Sequence, residues 1–416
     1  MLRERDYSRL LGSSIADRFG REMVFVAIGW QVYAISRNPL HLGLVGLAEF
    51  LPLLLFALPA GAIADRLPRK LVYIGSLIAD AAIIALLLLV SLNGAGSLWP
   101  FLALSFASGT SAAIGNPAVR SMWPSLVPLD LLTRALALRS TVSQVSVVTG
   151  PAVGGLLFAI RPEAAYAAGV VLILLAALLA VPIKARIVEQ APPAMVGTRL
   201  ESLLAGLRFV RRTPVLLGAI SLDLVAVLFG GAVALLPLFA RDILDVGPVG
   251  LGVLRSAPAV GALVAGAMLT RRPLRGMAGR TLLIVVGVFG GSMVVFGLSH
   301  SFALSFAALA VSGYADMISM NIRSMITALA TPDALRGRVN AVEMVFISAS
   351  NELGAFESGA AAALVGAVPA VVVGGCLTIA AALLWPRLFG QMAGIDRLES
   401  LHPAGGGSLQ STAEGL

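Results

Sequence analysis

Twelve runs of about 20 predominantly apolar residues fill most of this 416-residue chain. A helix of that length crosses the ~30 Å hydrocarbon core of a bilayer. The runs lie near 10–35, 41–64, 71–92, 99–119, 140–160, 164–184, 215–240, 248–270, 281–299, 302–322, 338–365 and 367–386. In lipid every backbone N–H and C=O must be satisfied inside the protein, which leaves helices or closed barrels. Runs this long select helices, so the expected fold class is an all-α membrane protein. Hydrophobic residues make up 58% of the chain and charged residues 12%, about half the ~25% of an average soluble protein. That is too little polar surface for a soluble enzyme or a nucleic-acid binder of this size. It is too much apolar character for a disordered chain. One cysteine, Cys376, and three histidines provide neither a disulfide nor a zinc or redox motif, so no metal site is expected. Asp17, Arg18, Arg21 and Glu22 interrupt the first run, which reads as an uncleaved first span and not as a signal peptide.

The basic residues set the orientation. With the N-terminus inside, 24 of the 30 fall on one side, among them Arg3, Arg66, Arg120, Arg212, Arg323 and Arg338. Only Arg37, Arg161 and Arg241 fall on the other side. Lysine and arginine collect on the cytoplasmic side, so both termini are expected in the cytoplasm. The formal charge of +8 then reflects topology and contact with anionic lipid. Many Arg, two Lys and no N-x-S/T acceptor on an external loop fit a bacterial inner (plasma) membrane.

The longest polar stretch between runs covers 185–213. It holds Pro192 and Pro193, then an amphipathic piece from Thr198 to Arg212 that is expected on the cytoplasmic membrane surface. It divides the chain into an N-terminal six-helix bundle (1–184), a linker (185–213), a C-terminal six-helix bundle (214–388) and a tail (389–416). The tail contains GGGS at 405–408 and is expected to be disordered. The halves resemble each other. NPAVRSMWPSLVPLDLL (116–132) aligns with MNIRSMITALATPDAL (320–335), so that Arg120, Ser121 and Met122 fall on Arg323, Ser324 and Met325. Each window follows the fourth span of its half and reads as a loop. Two six-span repeats are the architecture of an alternating-access transporter.

Between runs two and three lies GAIADRLPRK (61–70), with Gly61, Asp65, Arg66, Arg69 and Lys70. This pattern in this loop resembles the signature loop of the major facilitator superfamily, with Pro68 in place of a glycine. The resemblance implies a conformational lock in which Asp65 meets the start of span eleven and cationic groups near Arg120. The second-half counterpart, GAMLTRRPLR (266–275), has Thr270 where the acid would be. GPAVGG (150–155) in span five, with Gly150, Pro151, Gly154 and Gly155, resembles the core of the antiporter signature of proton-coupled exporters, without its upstream glycines. Gly150 and Gly154 also form a small-xxx-small pair that lets helices approach closely, and Pro151 removes one helical hydrogen bond. WQVY (30–33), residues 43–66, SLLAGLRFVRRTP (202–214) and SASNELGAFESG (348–359) are similar to the branch of bacterial inner-membrane efflux proteins that includes the enterobactin exporters. The resemblance covers the chain to about residue 390.

Ionisable residues inside a span cost at least ~2.5–3.5 kcal/mol each and so need a partner or a function. In span one, Asp17–Arg21 and Arg18–Glu22 are i,i+4 and can pair on one face. Glu22 lies deeper. In span eleven, Glu352 and Glu357 point some 140° apart, with Asn351 beside the first. Glu22, Glu352 and Glu357, with Asp17 and Arg21, are the proton-coupling candidates, and Glu357 is placed first because it follows Gly354 and has no base in its own span. Glu49, Asp80, Asp223 and Asp316 are single acids, of which Asp80 and Asp316 read as structural. Arg255 is a lone base, open to Asp223, Glu357 or an anionic cargo as partner. Trp30, Gln31 and Tyr33 suit either an interfacial belt or cargo stacking. Trp30, Gln31, Glu49, Asp223, Arg255 and Asn351 are therefore the cavity or substrate candidates.

The resemblance implies a fold of twelve transmembrane helices in two six-helix bundles. It implies a monomeric secondary transporter, not an enzyme, that exports a small molecule (a siderophore-like, drug-like or other metabolite) by proton-coupled alternating access. Its partners are the cargo, protons and the lipid bilayer, with no nucleic acid. No Walker signature is present and no cofactor is expected. A mover of lipid or lysophospholipid, and a non-transporting membrane sensor or subunit, remain open as alternatives.

Overall fold

Apolar residues in runs too long for a strand, punctuated by proline and glycine, fold as long helices joined by short turns. The computed structural model describes residues 5–184, 199–272 and 276–396, and among these it holds helices and turns only. The N-terminal half comprises α1 (Arg5–Ser36), α2 (Pro39–Arg66), α3 (Arg69–Leu92), α4 (Trp99–Met122), α5 (Leu129–Ile160) and α6 (Pro162–Ala180). The amphipathic α7 (Arg199–Arg212) follows. In the second half α8 (Pro214–Gly230) is extended by a 3-10 turn, α9 (Leu236–Leu238) and a π turn (Phe239–Ile243). Then come α10 (Gly247–Arg271), α11 (Ala278–Leu298), α12 (Phe302–Ala330), α13 (Asp333–Val365), α14 (Ala367–Leu388) and the short α15 (Gly390–Ala393). Prolines occupy the first turn of α6, α8 and α10, where the missing N–H costs nothing. Gly366, at φ +91°, makes the tight turn between α13 and α14, a conformation that a Cβ disfavours.

With α8 and its extension taken as one span, the two halves supply the twelve expected helices of a multi-pass membrane protein. Among the described residues, nine are long and apolar enough to cross a bilayer by length and composition. α1, α4 and α13 are the other three. Several of their polar residues face protein: Ser13 and Gln31 of α1, Ser105 and Ser111 of α4, and Ser350 and Ser358 of α13 are buried. Large apolar side chains such as Leu364, Leu383 and Ile160 are exposed instead, as a lipid-facing surface requires.

Three expectations need correction. The paired windows 116–132 and 320–335 are mostly helix, running from the end of one helix through a turn into the next. Arg323, read from the sequence as a loop charge, lies inside α12 and is 5% exposed. The amphipathic α7 docks on α13: Val210 is buried, and a Cβ added at Gly206 would lie 2.7 Å from the Arg338 carbonyl oxygen. Its apolar face therefore meets protein as well as any membrane. Within the expected tail, Met392 is fully buried and the Gly279 N–H donates to Ile395 O at 3.1 Å. Residues 389–396 are thus held against α11, and 397–416 lie outside the described residues, as does 185–198 of the linker.

The buried core is asymmetric along the helices. One apolar cluster runs through the N-terminal half and continues, at the end away from the N-terminus, into Leu235, Phe239, Leu251, Phe296 and Leu309 of the C-terminal half. A second cluster, with Leu216, Leu282, Ile322 and Val339, belongs to the C-terminal half alone and lies toward the opposite end. The halves share a core where the N-terminus is not, and keep separate cores where it is.

Candidate functional site

The i,i+4 pairs of α1 form: Arg21 Nε donates to Asp17 Oδ1 at 2.8 Å, and Arg18 pairs with Glu22 at 2.8 Å. Arg21 also reaches across to Asp80 of α3 and forms a close ion pair with it. Asp80, read from the sequence as a single acid, is only 2% exposed. Arg21, Phe25 and Ile28 of α1, Glu49 of α2, Asp80, and Leu104 of α4 line one open cavity. On the far face of Phe25 sits Arg255 of α10, its guanidinium carbon 3.8 Å from the ring centroid, within cation–π range.

Arg255 is the point where the halves meet electrostatically. Glu22 and Glu49 from the N-terminal half and Glu352 from α13 are the carboxylates within its range. The Glu352 carboxylate lies against α2: a Cβ added at Gly46, one turn before Glu49, would be 3.0 Å from Glu352 Oε2. Both sequence-derived partners for Arg255 are corrected here. Asp223 pairs elsewhere, and Glu357 stands apart, with no ion pair among the described residues. Glu352, placed last of the three coupling candidates by sequence, is the one that joins this cluster together with Glu22. Asn351 donates to Ile347 O of its own helix at 3.0 Å.

The antiporter-like glycines divide between two contacts. A Cβ at Gly150 would lie 2.8 Å from Glu22 Cβ, and one at Gly154 would lie 2.7 Å from both Cα and O of Met23. These two seat α5 on α1 beside the charged cluster. Gly155 faces the other half: its Cβ would lie 2.3 Å from Pro248 O, and a Cβ at Gly252 would lie 2.3 Å from Pro151 O. At the same end, α2 and α13 meet through Gly43 and Gly359, where an added Cβ would lie 2.8 Å from Phe356 Cα and Pro39 O respectively.

Beyond these glycines, the aromatic cluster of α1 makes polar contacts within the protein. Gln31 is buried and satisfied within its own half, donating to Ser91 Oγ at 3.1 Å and accepting from Tyr166 at 2.8 Å. Tyr33 donates to Asp242 in the π turn, and Arg37 pairs with the same carboxylate at 3.0 Å. Arg241 lies over Trp30, 5.7 Å from its centroid. The extension of α8 thus fastens the far end of α1 to the opposite half.

Sequence reasoning missed a second buried ion pair. Asp223 of α8 pairs with Arg323 of α12 at 2.5 Å, with side chains 8% and 6% exposed. Asp316 and Glu343 lie within electrostatic range of the same guanidinium. The repeat alignment carried a signal, since it set Arg323 on Arg120. The two do different work: Arg120 is exposed and reaches Met344 of α13, Nη1 to Sδ 2.7 Å. Of the signature loop, Gly61, Asp65 and Arg66 have side chains outside the described residues. Arg69 donates to Ser121 O at 3.5 Å, and Lys70 is half-buried at the start of α3.

Comparisons with known proteins agree with this architecture. Residues 2–401 match a family described as transmembrane secretion effector. Relatives include the enterobactin exporter EntS of Shigella boydii serotype 18, 29% identical over 76% of this chain and 75% of that protein. The enterobactin exporter EntS of Escherichia coli O139:H28 is 28% identical over the same shares. Among solved structures, a bacterial homolog to human lysosomal transporter Spinster, inward-facing and unoccupied, matches with a TM-score of 0.74 at 15% identity, covering 94% of this chain and 98% of that one. A bacterial homologue of iron transporter ferroportin in the inward-facing state gives 0.69 at 18% identity, over 94% and 99%. At such identities the structures speak for the fold alone. The match along nearly the whole chain makes this protein a member of the transmembrane secretion effector family, a membrane transporter of the major facilitator superfamily from the branch that resembles the enterobactin exporters.

Proposed function

We propose that the protein exports a small molecule in exchange for protons, by rocking of the bundles α1–α6 and α8–α14 about the cluster around Arg255. One observation carries this reading: acids from α1, α2 and α13 gather around one half-buried base from α10, so both halves contribute charge to a single point inside the membrane-spanning region. A proton taken up by Glu49 or Glu352 would remove one negative charge within electrostatic range of Arg255 and alter the attraction between the halves. Each charge moved across the membrane is worth ~2.3 kcal/mol per 100 mV. The names of the relatives and the glycines of α5 support export. The arginine distribution supports a bacterial inner membrane with both termini in the cytoplasm. The gathering of inter-half contacts at the external end corresponds to a state closed to the outside.

The test is accumulation of candidate compounds in cells with and without the protein, each with and without an uncoupler. A cargo should accumulate less when the protein is present, and the uncoupler should abolish the difference. A difference that survives uncoupling contradicts proton coupling.

A further inference from the structure

We propose that the cavity inside the N-terminal half takes an organic cation: a primary ammonium on a small aromatic or apolar body. This names the cargo class for the exporter reading and rests on it. The cavity's polar wall is Asp80 and Glu49 with Arg21, whose guanidinium is engaged by Asp17 and Asp80, and its apolar wall is Phe25, Ile28 and Leu104. Asp80 spends one oxygen on Arg21. Its other oxygen, Oδ1, has no hydrogen-bond partner although the residue is 2% exposed. Ser111 donates to Ser76 O at 3.0 Å and its hydroxyl is the one within hydrogen-bonding reach of this carboxyl as well. A buried acceptor without a donor is costly, and an ammonium brings three donors and a charge.

The surrounding charge has the same sign preference. Asp17, Glu22, Glu49, Asp80 and Glu352 outnumber Arg18, Arg21 and Arg255, so two carboxylates are uncompensated when all are ionised. Arg255 does not line this cavity; Phe25 stands between. A cation and a proton would also compete for the same carboxylates, which is how exchange could be obligatory.

The experiment measures binding to the purified full-length protein in detergent at pH 7.5, without any gradient. The probe is radiolabelled phenethylammonium, competed by 2-phenylethanol and 3-phenylpropionate, which keep the aromatic body and change the charge to zero and to minus one. The ammonium should bind at least tenfold tighter than either competitor. Asp80→Asn and Glu49→Gln should each weaken it tenfold or more. Asp80→Asn also removes a partner of Arg21 and can fail to fold; Glu49→Gln breaks no ion pair among the described residues and keeps the test decisive. Equal binding of the three probes, tighter binding of the carboxylate, no saturable binding of the ammonium, or unchanged binding by Glu49→Gln overturns the assignment. A carboxylate that binds and is exported against a proton gradient would sink the cationic class while leaving the exporter standing.

Discussion

Gly252 of α10 faces Pro151 of α5 across the boundary between the halves, so crowding it should change conformation before it changes folding. A Cβ there lies 2.3 Å from Pro151 O and 3.1 Å from Ala152 Cα, where ordinary contact begins at 3.4 Å. The two backbones must part by about 1 Å for alanine and further for leucine. Overpacking of this kind costs ~1–3 kcal/mol. The strain exists only while these ends touch, so it falls on the state closed at the outside. That corresponds to an ~5–150-fold shift toward the outward-open state. The assay uses Ile28→Cys, on the cavity wall, in a Cys376→Ser background, since Cys376 is the single cysteine and is exposed. A membrane-impermeant maleimide is added outside intact cells. Gly252→Leu should speed labelling at least fivefold and reduce export, with protein abundance unchanged. Parental labelling and parental export in that variant would refute the reasoning.

Gly154 packs within one half, so Gly154→Ala should already lower the thermal stability of the purified protein, because its Cβ meets Met23 backbone, and Gly154→Leu should lower it further; equal, wild-type stability of both would show that this face is free. Arg323→Ala leaves Asp223 buried without its partner and should cost ~3–5 kcal/mol, read as a loss of folded protein on heating in detergent. A change below ~1 kcal/mol would mean that Asp316 or water replaces the pair. Asp65→Asn should reduce export at unchanged membrane abundance, as the signature-loop resemblance implies; normal export by this variant would remove the lock.

What the sequence made legible is what depends on neighbours along the chain. Apolar runs located the helices, and the i,i+4 rule found Asp17–Arg21 and Arg18–Glu22, because helical geometry alone brings those atoms together. The 140° between Glu352 and Glu357 correctly kept them off one face, but nothing local decides which face turns toward Arg255. Arg21–Asp80, Asp223–Arg323 and Tyr33–Asp242 join residues 59, 100 and 209 positions apart, and only the packing of the bundles pairs them. Arg323 was misplaced for a related reason. Counting arginines assigns each to a side of the membrane, and a buried arginine neutralised by an acid from another helix looks like any other. The π turn that presents Asp242 to α1 has no sequence signal beyond the break after Gly230 and Gly231.

The central claim is that Glu49 and Glu352 couple proton entry to cargo exit through Arg255. The direct measurement is efflux from proteoliposomes under an imposed pH gradient, using a cargo found in the accumulation screen, for Glu49→Gln, Glu352→Gln and Glu357→Gln. Glutamine holds each position permanently neutral. Gradient-driven efflux should fail in the first two, passive exchange of cargo should survive in Glu352→Gln, and gradient-driven efflux should persist in Glu357→Gln. Full gradient-driven efflux by both Glu49→Gln and Glu352→Gln, or its loss in Glu357→Gln alone, would contradict the account.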